Sequence, residues 1–291
     1  MNDFEVIELY GDVAGLRLGV VHMPVMKAAF SINVDNVRHV AKYASKLGVK
    51  TLILPPLLPY GVMLERARSE RLVAMGINRR NPYVRILKHI ARLCALSIIS
   101  PHVLEKPRSH LYLSNLFVEG ETATCKFFSR KLILSEEEAL SGVKPGNKLD
   151  VVSDYYLNYT VLLGEDLLVP ELARLSLILG ADVIVASAKS TVLEGVRLVE
   201  VLKSLHTFTS ISVVHVGFMI EEPSRTQLFA PTLIMIPGGE LFELSENKRA
   251  IITVPLKVLK ERRKNINVEK LKHVLRILSG YITKSICKLS E

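Results

Sequence analysis

Aliphatic and β-branched runs alternate with segments of helical periodicity along most of the chain. Short apolar runs fall at Leu18 to Val21, Thr51 to Leu54, Leu96 to Ile99, Thr160 to Leu163, Val183 to Ala186 and Ser212 to Val216. Runs this short and this continuous predict buried strands. Between them, apolar residues recur at three- and four-residue spacing over 35–47, 82–94, 170–179 and 193–206, which predicts helices. Gly48 closes the first of these. Pro170 stands just inside the start of the third and Gly180 just past its end, the asymmetry expected of helix termini. Strand and helix taken in turn give an α/β fold, and no domain boundary is apparent inside 10–255.

The last stretch has a different pattern. Val268, Leu271, Val274, Leu275, Leu278, Ile282 and Ile286 make one apolar stripe, and Asn267 can cap the helix they predict. Lys260 to Asn265 precedes it as a polar connector. The chain is therefore expected to divide into a main domain, 1–256, and a basic connector with an amphipathic helix, 257–291. That helix is expected to pack on its own subunit or on a dimer partner.

The segment from Tyr159 to Asp182 carries the strongest chemical signal. It reads as an apolar strand, a sharp turn at Gly164-Glu-Asp166, and a helix opening at Pro170-Glu-Leu-Ala-Arg174. It resembles the nucleophile segment of the nitrilase, or carbon-nitrogen hydrolase, superfamily, "C-x-D-x-R-x-P-E-L-A-R" followed by "G-A-D", with Gly164 at the cysteine. Other pieces resemble the family in order. Arg17 to Val25 is similar to its first strand. Thr51 to Gly61 is similar to "L-I-V-L-P-E-L-F-x-x-G", with Pro56 at the glutamate. Tyr112 to Gly120 and Phe229 to Gly239 are similar to two family hairpins. Phe127 to Glu138 resembles "Y-R-K-x-H-L-x-x-x-E" and keeps its lysine as Lys131. The resemblance implies a nitrilase-like α-β-β-α sandwich of two mixed sheets flanked by helices, plus the added C-terminal helix. It also implies a homodimer or higher homo-oligomer.

In the family a cysteine thiolate attacks an amide or nitrile carbon, a glutamate is the general base, and a lysine stabilises the tetrahedral intermediate. Here Gly164 has nothing to attack with and Pro56 has nothing that titrates. Nucleophile and base act as a unit, so their joint loss removes the mechanism. No catalytic residue, cofactor or metal is expected, and Pro56, Lys131 and Gly164 are read as vestigial positions. Cys94, Cys125 and Cys287 fall at no elbow, and the first two read as small buried hydrophobes. Lys131 keeps its charge problem: a buried ammonium needs a counter-charge, water or an anion. Glu165 is the favoured partner, and the cluster Glu136 to Glu138, with Glu137 at its centre, is the second choice. The alternative is a small anionic ligand held against Lys131. Two readings of function follow: a catalytically inactive, dimeric binding or scaffolding component, or an amidase- or nitrilase-type hydrolase rebuilt on Glu165 or the 136–138 acids.

Composition changes this picture in three places. With 49% hydrophobic residues there is ample core, but no uninterrupted apolar run is long enough to cross a membrane, and the opening Met1-Asn-Asp-Phe-Glu5 does not read as a secretory leader; a cytoplasmic protein is expected. One glutamine, no tryptophan and many Lys, Arg and Ile give a thermophile-like balance. Charge is unevenly spread over the formal +9. Arg66 to Arg92 holds eight basic residues against Glu70, and Lys257 to Lys288 holds ten against two glutamates, which leaves the rest net acidic. Arg79, Arg80, Arg262, Arg263 and Lys264 are thus candidates for a polyanion surface, and nucleic-acid association is a further alternative. No nucleic-acid motif accompanies them, and aromatic content is 6%. The eight histidines are scattered, with His102 and His110 expected in a solvated or substrate-facing loop.

Overall fold

A computed structural model describes residues 4–61, 69–154, 156–189 and 197–260, with 269, 271–273 and 276 beyond them. The first half runs β1 (Glu5–Glu8), β2 (Arg17–His22), β3 (Val25–Met26), α1 (Phe30–Lys46), β4 (Val49–Ile53), α2 (Ser69–Met75), α3 (Pro82–Cys94), β5 (Ser97–Glu105), β6 (Tyr112–Val118) and β7 (Cys125–Phe128). The second half runs α4 (Glu136–Leu140), β8 (Val152–Ser153), β9 (Asn158–Leu163), α5 (Pro170–Ile178), β10 (Val183–Ser187), α6 (Leu198–Thr209) and β11 (Ser212–His215). It closes with β12 (Phe218–Glu222), β13 (Arg225–Ala230), β14 (Thr232–Met235), β15 (Leu241–Leu244), β16 (Ala250–Pro255) and α7 (Leu256–Lys260).

Two mixed sheets dominate, with strand orders β1-β16-β2-β4-β5-β6-β7 and β15-β14-β11-β10-β9-β8; a small sheet, β13-β12-β3, lies beside them. Strands β2, β4 and β5 are parallel, as are β9, β10 and β11. Side chains alternate across each strand, so each sheet sorts its residues between two cores. Leu18, Val20, Ile53 and Ile99 of one sheet meet Val161, Leu163, Val185 and Val214 of the other in the inner core. Their neighbours Leu52, Ile98, Leu162, Ile184 and Val213 belong to the outer core with the helices. Strands covered on both faces must be apolar throughout, which is the reason the strand runs are continuous rather than alternating. Helices α1 and α3 cover the first sheet, and α5 and α6 the second. Polar contacts cross between the sheets at two places: His22 of β2 bonds Thr232 of β14 at 2.8 Å, and Asp154 makes the other. Asp154 accepts from Thr51 of β4 and, at 3.1 Å, from Tyr159 of β9, while the Tyr156 and Leu157 amides bind its other oxygen. The buried carboxyl is thereby fully partnered, and burial raises its pKa.

The predicted helix at 82–94 matches α3, and that at 170–179 matches α5 to within a residue. Two elements begin earlier or run longer than their patterns suggest. Helix α1 starts at Phe30 because its N-cap is Ala29, which carries no capping side chain and so leaves no sequence signal. Strand β5 continues past Ile99 to Glu105 through Pro101; the pairing with β6 shifts register between Ser100 and Val103, and a bulge tolerates a proline. The helix expected over 193–206 is observed as Leu198–Thr209, with 190–196 outside the described residues. Most of the expected C-terminal helix, with Arg262, Arg263 and Lys264, also lies outside them. No helix among the described residues is long and apolar enough to cross a membrane.

Candidate functional site

Strand β9 ends at Leu163, and the chain turns sharply through Gly164 at φ +52°, where a residue with a side chain would be strained. A 3-10 turn, Gly164–Leu168, leads to extended Val169 and then to Pro170 at the start of α5. Asp166 locks this elbow to the segment after β7. It is 3% exposed and its carboxylate accepts the N–H groups of Leu132 at 3.1 Å and Ile133 at 2.9 Å. Burial pushes the Asp166 pKa up to about 6, against the lowering effect of those amides.

The segment so held carries Lys131. Its amide donates to the Leu113 carbonyl of β6, and its carbonyl accepts from the Gly146 amide. The side chain is 1% exposed, and its Nζ lies 2.6 and 2.5 Å from the two carboxylate oxygens of Glu138. On the other side it forms an ion pair with Glu165. The expected Glu165 partner is therefore in place. The acid from the 136–138 cluster is Glu138 and not Glu137, which is exposed. Helix α4 explains the correction. Ser135 is its N-cap, and Glu138, at the third helical position, completes a capping box by accepting the Ser135 N–H at 2.9 Å. That geometry turns Glu138 inward, toward Lys131, and leaves Glu137 facing water. Burial raises the Glu138 pKa despite the adjoining ammonium.

Lys131 is the side chain that faces Gly164, and its ammonium would have to shift to admit a side chain there. A Cβ built on Gly164 would lie 2.7 Å from Lys131 Nζ and 3.1 Å from its Cε. Pro56, at the position of the family's base, is buried in the turn that leaves β4. The two cysteines described bring no thiol to this cluster. Cys94 closes α3, where burial raises its pKa, and Cys125 opens β7. Cys287 lies outside the described residues. Two carboxylates flank the one ammonium, so no anion is required for charge balance.

Three buried side-chain atoms among the described residues lack a hydrogen-bond partner: His102 Nδ1, Glu165 Oε2 and Ser187 Oγ. They share one neighbourhood. Glu165 is paired with Lys131, Ser187 is the register partner of Leu163 just before the elbow, and the Lys131 charge acts on His102. Expected in a solvated or substrate-facing loop, His102 is instead in β5, 8% exposed, with its ring edge on Phe218. Burial, and then the charges of Lys131 and Lys189, lower its pKa to about 3, so the ring is neutral at physiological pH. It lines a cavity of about 30 Å3 together with Leu58, Tyr60, Leu72 and Leu113, enough for roughly two waters. No sequence pattern marked His102 or Ser187. No group of three or more potential metal ligands occurs among the described residues. Arg79 and Arg80 stand exposed in the turn before α3.

Two stability measurements check this arrangement. Replacing Lys131 with Met leaves two buried carboxylates with no cation, and urea unfolding at pH 7 should show a loss of about 3–5 kcal/mol. Adding Glu138→Gln and Glu165→Gln should recover most of it; no recovery would mean that Lys131 contributes through packing and not through charge. Asp166 has a folded pKa raised from 3.8 to about 6, so its stabilising protonation is complete below about pH 4 and lost as pH rises through about 6. The native chain should lose on the order of 3 kcal/mol relative to Asp166→Asn over that window, by the 1.36 kcal/mol per unit of linkage. Parallel pH profiles for the two chains would contradict it.

No protein-family profile matches the chain, and no curated protein sequence does. Solved structures match over most of its length. Nit3 of Saccharomyces cerevisiae, a member of branch 10 of the nitrilase superfamily, is 18% identical with a TM-score of 0.70, over 84% of this chain and 92% of that one. An amidase from Nesterenkonia sp. AN1, in a glutamate-to-glutamine variant with acrylamide added at its active-site cysteine, is 17% identical with a TM-score of 0.64, over 86% and 97%. A cysteine-to-alanine variant of that amidase, in complex with butyramide, is 17% identical with a TM-score of 0.63, over 85% and 94%. Two mixed sheets face to face, each covered by helices, are the fold of these nitrilase-superfamily structures, and this chain has that fold.

Proposed function

We propose that the protein is a nitrilase-fold component without carbon-nitrogen hydrolase activity, acting by binding or scaffolding as a homodimer. The observation that carries this reading is the position of the Lys131 ammonium, 2.7 Å from where a Gly164 side chain would begin. In a hydrolase the elbow position carries the nucleophile, and here Gly164 offers only backbone. The Lys131 ammonium faces that position, and Glu138 and Glu165 take up its charge. The competing reading is an amidase rebuilt on Glu165, whose Oε2 is buried without a directed hydrogen bond. Its ion pair with Lys131 counts against it, because an acid holding an ammonium is a weak base and a poor nucleophile.

The residual polarity of the pocket supports ligand binding without turnover. His102 Nδ1, on the wall of the cavity, is buried, unpartnered and uncharged, so it suits a small uncharged polar molecule better than the anion considered from sequence. Self-association is supported by the layer of α5 and α6. Leu168, Leu179 and Phe208 are each more than a third exposed there, and Arg174 stacks over the Phe208 ring at 5.0 Å.

Incubation with acrylamide and with butyramide, followed by ammonia assay and intact mass, should show neither ammonia release nor a covalent adduct. Release that disappears in Glu165→Gln would establish the rebuilt enzyme instead. Sedimentation should give a dimer at micromolar concentration that dissociates in Leu179→Arg; a monomeric native chain would remove the dimer from the proposal.

A further inference from the structure

The outer face of α1 and α3 is a second feature that the pocket does not explain. These helices lie side by side on the first sheet, and Ser45 Oγ donates to the Cys94 carbonyl at 2.8 Å, which fixes their C-terminal ends together. Helix α1 contributes Arg38, Lys42 and Lys46, and α3 contributes Arg85, Lys88 and Arg92. Arg79 and Arg80, in the turn that opens α3, extend the row. Against these eight cations the two helices and the turn carry one acid, Asp35, which is paired with Arg38. No ion pair engages any of the other seven among the described residues.

Helix stability does not account for this pattern. The helix dipole favours acids in the first turn, yet neither helix has one there, and Arg79, Arg80 and Arg85 crowd the N-terminal end of α3 where cations are disfavoured. Arg38, Lys42 and Lys46 follow one another at four-residue spacing, and Arg85, Lys88 and Arg92 at three and four. Like charges at these spacings repel along a helix. Lys46 and Arg92, in the last turns of their helices, gain from the dipole; the other six cations do not.

We propose that this face binds nucleic acid through its phosphate backbone. The partner is chosen by charge density and by side-chain type. Duplex nucleic acid presents a regular, dense line of charge, and an array of cations on a strip two helices wide is its complement. Five of the eight cations are arginines, whose planar fork matches a phosphate in two hydrogen bonds. An acidic protein offers sparser carboxylates, and an anionic membrane would call for apolar residues at the centre of the face. Ile32, Tyr43 and Leu93 are exposed at its flank instead, by the helical phase of their positions. Binding read this way is insensitive to sequence and steep in salt.

The test is fluorescence anisotropy of the full chain with a 25-base-pair RNA duplex and a DNA duplex, titrated between 50 and 200 mM salt. The native chain should bind both, with affinity falling at least about a hundredfold across that range, the salt dependence of roughly four phosphate contacts. The triple variant Lys42→Glu, Arg85→Glu, Arg92→Glu should bind at least tenfold more weakly at 50 mM salt and lower the logarithmic salt slope by about 2 to 3. Lys203→Glu, on α6 of the opposite layer, should bind as the native chain does. Arg79→Gln with Arg80→Gln provides a milder pair, outside both helices, should the triple variant unfold. Absence of binding at 50 mM salt would overturn the proposal. So would native affinity in the folded variants, which would move the contact to 257–291. Tighter binding to phosphatidylserine vesicles or to an acidic protein, lost in the same variants, would assign the face to that partner instead.

Discussion

A lysine side chain that is 1% exposed dictates what surrounds it. Its ammonium cannot stay charged in an apolar interior unless carboxylates or water compensate, because desolvation would otherwise strip the proton or open the fold. In this molecule the compensation comes from two directions. Glu138 reaches it from the short helix α4, and Glu165 from the turn that leaves β9. Lys131 itself follows β7 of the other sheet. One cation thus ties three segments that are separate in sequence, and Asp166 adds a parallel tie between the same segments through the Leu132 and Ile133 amides. Removing the one cation would leave the carboxylates uncompensated, so the cluster depends on Lys131.

The same set governs the chemistry. In an acyl-transfer site, a lysine stabilises charge that develops on the substrate, and it does so only if its own field is not already cancelled. Flanked by two carboxylates, Lys131 has its field cancelled before any substrate arrives. The glycine at the elbow is then consistent with its setting: a side chain at 164 would press on the ammonium. The cavity's polar side chain, His102, is uncharged. On the function proposed above, the cleft offers a ligand hydrogen bonding within an apolar wall.

How far the sequence showed this depends on how local each signal was. The elbow was legible because its strand, glycine turn and Pro170 are contiguous, and Lys131 and Pro56 because each sits in a short motif of its own. Glu165 could be named because it adjoins Gly164. The choice of Glu137 over Glu138 overlooked a signal that was present: Ser135 followed three residues later by Glu138 is a capping box, and that box fixes which acid turns inward. His102 and Ser187 carried no such mark. His102 is buried by the bulge in β5, and Ser187 is placed by its register against β9, both of which depend on strands far apart in the chain. The early start of α1 was hidden for the opposite reason, since Ala29 caps without a side chain.

The two helical layers show how much of a sequence the fold leaves free. Helix α1 buries Asn33, Val34, Val37, Val40, Ala41 and Ala44; helix α3 buries Tyr83, Val84, Leu87, Ile90, Ala91 and Cys94, at the identical spacing. The sheet beneath demands that inner stripe and nothing of the outer one. Outer positions cost or gain only a few tenths of a kcal/mol each whatever their charge. On one layer those free positions hold cations almost without an acid; on the other, around α5 and α6, they hold exposed Leu168, Leu179 and Phe208. The layers differ in charge more than in apolar exposure: Ile32, Tyr43 and Leu93 are exposed beside the cations, whereas α5 and α6 balance Arg174 and Lys203 with Glu171 and Glu200. Apolar area favours a surface like itself, and a row of cations favours a polyanion. A pair of chains joined through α5 and α6 would cover the first kind of surface and leave two copies of the second facing outward.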